Sequence, residues 1–191
     1  MAQPNLLEVD WTQIPAPVDD GGAAHLKGMT IPPVSLKATD DTMVSLSALK
    51  GRTVVFAYPR TGEPGKIALV DDWDMIPGAR GCTPQTCAFR DLFAELKAAG
   101  AAQVFGLSTQ SNAYQTEMAS RLHLPFPVLS DEKLEMTRAL KLPTMSVAGL
   151  TLIKRMALII DDARITHVFY PVFPPDRNAG DVLAWLKAHK A

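Results

Sequence analysis

The chain has 191 residues, of which 47% are hydrophobic, and its formal net charge is −1. This length suits one domain with extensions and a sizeable core. Proteins that bind nucleic acid or anionic membranes typically carry an excess of positive charge, so the near-neutral net charge does not indicate either kind of partner. The first thirty residues lack a signal peptide's basic start and apolar run, and two cysteines are too few for a disulfide scaffold. We therefore expect a cytoplasmic protein that spans no membrane.

Composition divides the chain into an extended arm, residues 1–27, and one domain, residues 28–191. The arm is rich in Pro, Gly and Asp, with Trp11 as its aromatic anchor. In the domain we expect strands at 53–58 and 101–109, a short strand within 126–131, and a hairpin of 155–161 with 165–170. We expect helices at 83–100, 112–122 and 131–140, and a final helix from about 178. Alternating strands and helices predict an α/β fold with a sheet flanked by helices.

The first predicted helix contains both cysteines of the chain. Thr83 is the expected N-cap, Pro84 the first helical residue and Gly100 the stop signal. Cys82 therefore lies beside the unpaired N–H groups and the positive end of the helix dipole, which favour a thiolate. The sequence thus indicates a reactive thiol at the start of this helix.

The spacing of Cys82 and Cys87 has two interpretations. On an intact helix, residues five apart are separated by about 7.5 Å of rise and point roughly 140° apart, whereas a disulfide needs Cα atoms within about 7 Å. The pair can bond only if the first turns unwind, which indicates a reaction cycle. The alternative is two ordinary free cysteines, with Cys87 packed in the core, because free Cys is among the most buried residue types.

A metal site is not expected. Two thiols without a second pair make a poor zinc site. The histidines are scattered and form no ligand spacing with the cysteines; they are His25, His123, His167 and His189.

Five segments of the sequence, in order, resemble a peroxiredoxin: YPRTG, GCTPQTCAFRDLFAELKAAG, GLSTQS, FPVLSD and KRMALIIDDARITHVFY. The sequence is most similar to the Q-type or bacterioferritin-comigratory branch, which has two cysteines five positions apart on one helix. The resemblance covers residues 28–191 and implies a thioredoxin-like fold with a central mixed sheet. It also implies a thiol peroxidase for hydrogen peroxide or organic hydroperoxides that needs no metal, flavin or haem.

The same resemblance implies roles for individual residues. Cys82 attacks the peroxide and becomes a sulfenic acid, which Cys87 resolves to an intramolecular disulfide that a thioredoxin-like or other thiol reductant opens. Arg155, six positions before the strand-ending Asp161, matches the active-site arginine. A guanidinium can favour the thiolate and hold peroxide oxygens. Taken without the resemblance, Arg155 is also interpretable as an exposed charge at a strand end.

The sequence departs from the family pattern before the first cysteine. The family usually has a proline seven residues and a threonine three residues before it, where this chain has Met75 and Ala79. The proline of the YP pair is Pro59, 23 residues before the cysteine (82 − 59). An insertion at about 62–78 is therefore expected to fold over the site. Thr61 is the candidate to supply the missing hydroxyl, and the alternative is an ordinary turn residue in a site that works without one.

Two other functions stay open at this point. The first is a thiol–disulfide oxidoreductase or redox relay with little peroxidase turnover, which is favoured if the missing threonine is crucial. The second is a peroxide sensor that uses the same disulfide as a switch. The sequence indicates no nucleic-acid or membrane partner, and the chain is expected to be a monomer or homodimer.

Overall fold

A mixed sheet forms the centre of the computed structural model, which describes residues 9–190. The strands are β1 (Ser35–Ala38), β2 (Met43–Ser45), β3 (Arg52–Ala57), β4 (Gln103–Ser108), β5 (Val128–Ser130), β6 (Thr144–Val147), β7 (Leu150–Ile153), β8 (Met156–Asp161) and β9 (Arg164–Phe169). Seven of them make the sheet in the order β2-β1-β5-β4-β3-β8-β9, and β6 pairs with β7 separately. β3, β4 and β5 run parallel, and the remaining pairs are antiparallel.

Helices cover both faces of the sheet. They are α1 (Cys82–Asp91), α2 (Phe93–Ala98), α3 (Asn112–Arg121), α4 (Glu135–Leu140) and α5 (Asn178–Ala188). Successive side chains of a strand point to opposite faces, so the central strand β3 contributes to two cores. Val54 and Phe56 pack with residues of α1, α2, α3 and α5, whereas Val55 and Ala57 pack with residues of α4. The predicted α/β class and the order of its elements are confirmed.

Four strands in the structure were absent from the prediction, namely β1, β2, β6 and β7. Their side chains are partly or fully exposed at most positions, so they lack the continuous apolar run that marks β3 and β8. The helix predicted over 83–100 is divided into α1 and α2 at Leu92, whose backbone leaves the helical region (φ −97°, ψ 10°). Gly100, with φ +106°, follows the end of α2 as expected.

The predicted start of the cysteine helix is wrong by two residues. The helix begins at Cys82, and its N-cap is Gly81 in the left-handed conformation (φ +103°) rather than Thr83. Pro84 is consequently the third helical residue, not the first. It is tolerated there because N–H groups in the first turn have no intrahelical acceptor. The first thiol thus lies inside the first turn of α1.

Two segments lie outside the regular elements. In the predicted arm, residues 11–13 form a 3₁₀ turn, and Ala23 and Leu26 are buried in the core. The first eight arm residues lie outside the described part of the chain. The insertion at 62–78 contains one 3₁₀ turn, Trp73–Met75, and no α-helix or β-strand. Among the described residues, no helix has the length and apolar character needed to cross a bilayer.

Candidate active site

Gly81 fixes the position of Cys82 at the N-terminus of α1. A β-carbon built on Gly81 would lie 2.6 Å from Cγ of Pro175 and 2.7 Å from Cη2 of Trp11. The positive φ and this close packing together require glycine. The Cys82 side chain that follows is only 4% exposed and belongs to the core beneath α1.

The structure brings Arg155 directly to the Cys82 sulfur. Nη2 of Arg155 lies 3.2 Å from Sγ of Cys82 and donates a hydrogen bond to it. The same nitrogen donates to three successive carbonyl oxygens of the loop before α1, at residues 78–80 and distances of 2.9–3.2 Å. Arg155 comes immediately before β8, so the central sheet determines the position of its guanidinium.

The Arg155 guanidinium is a buried charge without a carboxylate partner. Its side chain is 2% exposed, and its hydrogen-bond partners are carbonyl oxygens, an amide oxygen and the Cys82 sulfur. Nε has no partner among the described residues. A buried cation is costly unless an opposite charge or several hydrogen bonds compensate it. The nearest group that could carry such a charge is the Cys82 sulfur, 3.2 Å from Nη2.

Gln85 and Asn178 extend the site, and the sequence prediction missed both. Oε1 of Gln85 accepts from Nη1 of Arg155 at 2.6 Å, and Nε2 of Gln85 donates to Oδ1 of Asn178 at 2.9 Å. Gln85 and Asn178 are at most 1% exposed. Gln85 is three positions after Cys82 on the same helix. Residues at this spacing are neighbours on the helix surface, so the sequence could have indicated that Gln85 lies beside Cys82. Asn178 opens α5, and no local pattern connects it to the cysteines.

Thr61 lines the same cavity as Cys82, but its hydroxyl has another partner. Oγ1 and the backbone N–H of Thr61 both donate to Oε1 of Gln110, at 3.2 and 2.9 Å. Its carbonyl oxygen accepts from Gln110 Nε2 and from the Tyr114 hydroxyl. Thr61 is therefore fixed in the cavity wall and makes no hydrogen bond to the Cys82 sulfur.

Cys87 lies in the middle of the intact helix α1. It is 6% exposed, and neither cysteine is in a disulfide. Burial is the main effect that raises the pKa of the Cys87 thiol, against an opposing effect of Arg90. Five helical positions correspond to about 7.5 Å of rise. Cys87 is thus a protonated, inaccessible thiol while α1 is folded.

The insertion forms one wall of the cavity over Cys82. This cavity has a volume of about 570 Å³. Its residues from the insertion include the apolar Ile67, Leu69 and Trp73, and Tyr114 lines it from α3. The prediction that the insertion folds over the site agrees with this arrangement. A cavity of this size with an apolar wall has room for a molecule much larger than hydrogen peroxide.

Comparisons with known proteins agree with this geometry. A model of the family described as Redoxin matches residues 26–183. "Peroxiredoxin Q, chloroplastic" of Sedum lineare is 33% identical over 166 residues, which cover 86% of this chain and 79% of the relative. The crystal structure of peroxidoxin BcpB from Mycobacterium tuberculosis superposes with a TM-score of 0.70 at 27% identity, covering 87% of this chain and all of that one. The bacterioferritin comigratory protein of Xanthomonas campestris shares the fold, with a TM-score of 0.67 at 23% identity over 86% of this chain and 98% of that one.

The family match spans most of the chain, and the Sedum relative shares a third of its residues over that region. This chain therefore belongs to the Redoxin family and is a peroxiredoxin, a thiol-dependent peroxidase with a thioredoxin-like α/β fold.

Proposed function

We propose that Cys82 attacks the peroxide and that Cys87 resolves the product. The observation that carries this assignment is the 3.2 Å contact between Arg155 Nη2 and Cys82 Sγ at the first residue of α1. A thiolate is the nucleophile in such reactions, and a nearby cation favours it. Cys87 has no hydrogen-bond donor at its sulfur among the described residues, and burial raises its pKa. The two thiols are thus chemically distinct.

The proposed cycle begins with the Cys82 thiolate. It attacks one oxygen of a hydroperoxide, the O–O bond breaks, and an S–O bond forms. The alkoxide leaves and takes a proton as the alcohol, while the sulfur loses two electrons and becomes a sulfenic acid. The Cys87 thiol then attacks this sulfur, an S–S bond forms, and water leaves. A thiol reductant returns two electrons and two protons.

Formation of the disulfide requires α1 to open. The sulfurs belong to residues five apart on a folded helix, so the helix between Cys82 and Cys87 must unwind before they can bond. The opened turn also exposes Cys87, which is 6% exposed in the folded helix.

The cavity supports organic hydroperoxides as substrates. Ile67, Leu69 and Trp73 offer apolar contacts, and the Thr61 oxygen keeps lone pairs that can accept a hydrogen bond from a peroxide O–H. The bacterioferritin comigratory protein of Xanthomonas campestris has alkyl peroxide reduction activity. In this assignment Thr61 replaces the threonine that the family has where this chain has Ala79.

The reductant we propose is a thioredoxin-like protein, because the opened turn would present a disulfide to a partner thiol. A cytoplasmic location and a monomeric or homodimeric state of this peroxiredoxin stay predictions. The relay and the sensor differ from a peroxidase in their kinetics. A relay consumes peroxide slowly but exchanges disulfides rapidly, and a sensor is oxidised rapidly without being recycled.

Two variants of the reduced protein test the division of roles. We expect Cys82→Ser to abolish peroxide consumption in stopped-flow measurements. We expect Cys87→Ser to consume one equivalent and to leave a sulfenic acid on Cys82 that dimedone labels, as mass spectrometry would show. Wild-type protein, which should form an intramolecular disulfide, is the control. Dimedone labelling of Cys87 in Cys82→Ser at wild-type yield would show that the roles are reversed.

A further inference from the structure

The N-terminal arm reaches the residue next to Cys82. The tip of the Trp11 indole lies so close to Gly81 that a β-carbon there would be 2.7 Å from Cη2, inside van der Waals contact. Pro175 closes the other side of Gly81 at a similar distance. The backbone that begins α1 is thus held between a ring from the arm and a ring from the loop before α5.

Trp11 is itself firmly held. Its Nε1 donates to Oδ2 of Asp176 at 2.9 Å, and its ring meets Phe173 edge-on at a centroid distance of 6.0 Å. The 3₁₀ turn that carries it is capped by Asp10, whose carboxylate accepts from the backbone N–H and the hydroxyl of Thr12. The ring is therefore fixed by contacts on both sides and is not a loosely attached surface group.

The arm contacts the loop before α1 a second time. Pro17 lies against Gly78, with 3.5 Å between its Cβ and a β-carbon built on that glycine. The carbonyl oxygen of Gly78 is one of the acceptors of Arg155. Further along the arm, the Asp20 carboxylate accepts from Lys154, which precedes Arg155 in the chain. The arm thus packs against Gly81 and Lys154, the chain neighbours of the two residues that make the Arg155–Cys82 contact.

We propose that Trp11 is a positioning residue that holds the closed form of the active-site turn, so that opening of α1 requires the ring to be displaced from Gly81. This inference depends on the proposed roles of Cys82 and Cys87. The first turn of α1 cannot unwind while Gly81 stays fixed between Trp11 and Pro175. The contact therefore opposes formation of the disulfide, not the attack on peroxide.

The expected consequence is a choice between two fates of the sulfenic acid. It either condenses with Cys87 or reacts with a second hydroperoxide, which transfers one oxygen to give a sulfinic acid and an alcohol. A slower opening favours the second reaction. Trp11 thereby prolongs the lifetime of the sulfenic acid and increases over-oxidation at high peroxide concentrations.

Single-turnover kinetics of full-length Trp11→Ala test the proposal. We expect the rate constant of the first phase, peroxide attack, to stay within a factor of about two of the wild-type value. The second phase, disulfide formation, should accelerate by up to about tenfold, because one aromatic ring contact contributes free energy on that scale. Mass spectrometry after excess cumene hydroperoxide should show less sulfinic acid on Cys82 than in the wild type. Trp11→Phe, which keeps a ring but loses the Nε1 donor, should lie between the two proteins.

Val18→Ala is the matched control, since Val18 lies on the same arm and is 83% exposed. It should leave both phases unchanged. A Trp11→Ala protein with wild-type circular dichroism and an unchanged or slower second phase would overturn the proposal. If Trp11→Ala does not fold, the same comparison of the two phases is made with Trp11→Phe. Absence of any intramolecular disulfide in the wild type would instead overturn the proposed roles of the cysteines.

Discussion

One buried guanidinium makes most of the polar contacts around Cys82. Arg155 donates to the Cys82 sulfur, to three loop carbonyls and to Gln85, and none of these partners among the described residues is a carboxylate. A carboxylate would satisfy the cation and weaken its effect on the sulfur. Carbonyl and amide oxygens carry only partial charge, so among these partners the Cys82 sulfur is the one group that could carry a full negative charge.

Replacement of Arg155 by Met should therefore slow both peroxide reduction and iodoacetamide alkylation of Cys82 at a fixed pH. A hydrogen bond to a charged group is worth roughly 1.5–3 kcal/mol, so we expect the rate constant to fall by about 10- to 150-fold. Arg155→Lys is the control, since it retains the charge and loses the forked geometry; it should slow alkylation less than Met does. An unchanged alkylation rate together with an unchanged peroxide rate would return Arg155 to the role of a structural charge at a strand end.

The residues of the site differ in how far the sequence predicted them. Cys82 and Arg155 were found through short family motifs, and the structure brings them into contact. Gln85 and Asn178 are 93 positions apart and meet only because α5 packs on α1. Thr61 lines the same cavity as Cys82, but the hydrogen bond of its hydroxyl to Gln110 could not be predicted, because the partner comes from a different loop.

At the scale of elements, the local signals were strong for buried strands and weak at the start of α1. β3 and β8 are continuous apolar runs, and their positions agree with the prediction to within one residue. The N-cap of α1 was misassigned because Gly81 is held in its left-handed conformation by Trp11 and Pro175, which lie far away in the sequence. Thr83 was the best N-cap candidate in the local sequence, whereas tertiary packing places the N-cap at Gly81.

The position of both cysteines on one folded helix predicts a redox-dependent change in that helix. Amide exchange in residues 82–91 should increase when the protein is oxidised with one equivalent of peroxide, while β3 and β4 stay protected. Unwinding one or two turns at the end of a helix costs less free energy than global unfolding. The control is Cys87→Ser, in which no disulfide forms and exchange should stay at the reduced level. A disulfide between two chains, or an oxidised helix with unchanged exchange, would contradict the proposed local unfolding.

At the scale of the whole molecule, the arm and the insertion, which have little regular secondary structure, pack onto the scaffold of sheet and helices. The sheet and helices place Arg155 and Cys82, while the arm and the insertion converge on the loop between them. The insertion is joined to this loop by Arg80, whose Nη1 contacts both carboxylate oxygens of Asp74 at 3.1 and 3.2 Å. The carbonyl oxygen of Arg80 in turn accepts from Arg155. The wall of the cavity is therefore linked through hydrogen bonds to the turn that carries Cys82.

This connection gives the insertion a testable role in substrate choice. Trp73 lines the cavity, whereas Met75 belongs to the same 3₁₀ turn, is 62% exposed and does not line it. We expect Trp73→Ala to lower kcat/KM for cumene hydroperoxide by roughly tenfold, since loss of an aromatic wall removes on the order of 1–2 kcal/mol of apolar contact. Hydrogen peroxide has no apolar group to lose such a contact, so its kcat/KM should fall much less. Met75→Ala should affect neither substrate. Equal losses for both peroxides in Trp73→Ala would show that the insertion supports the turn without selecting the substrate.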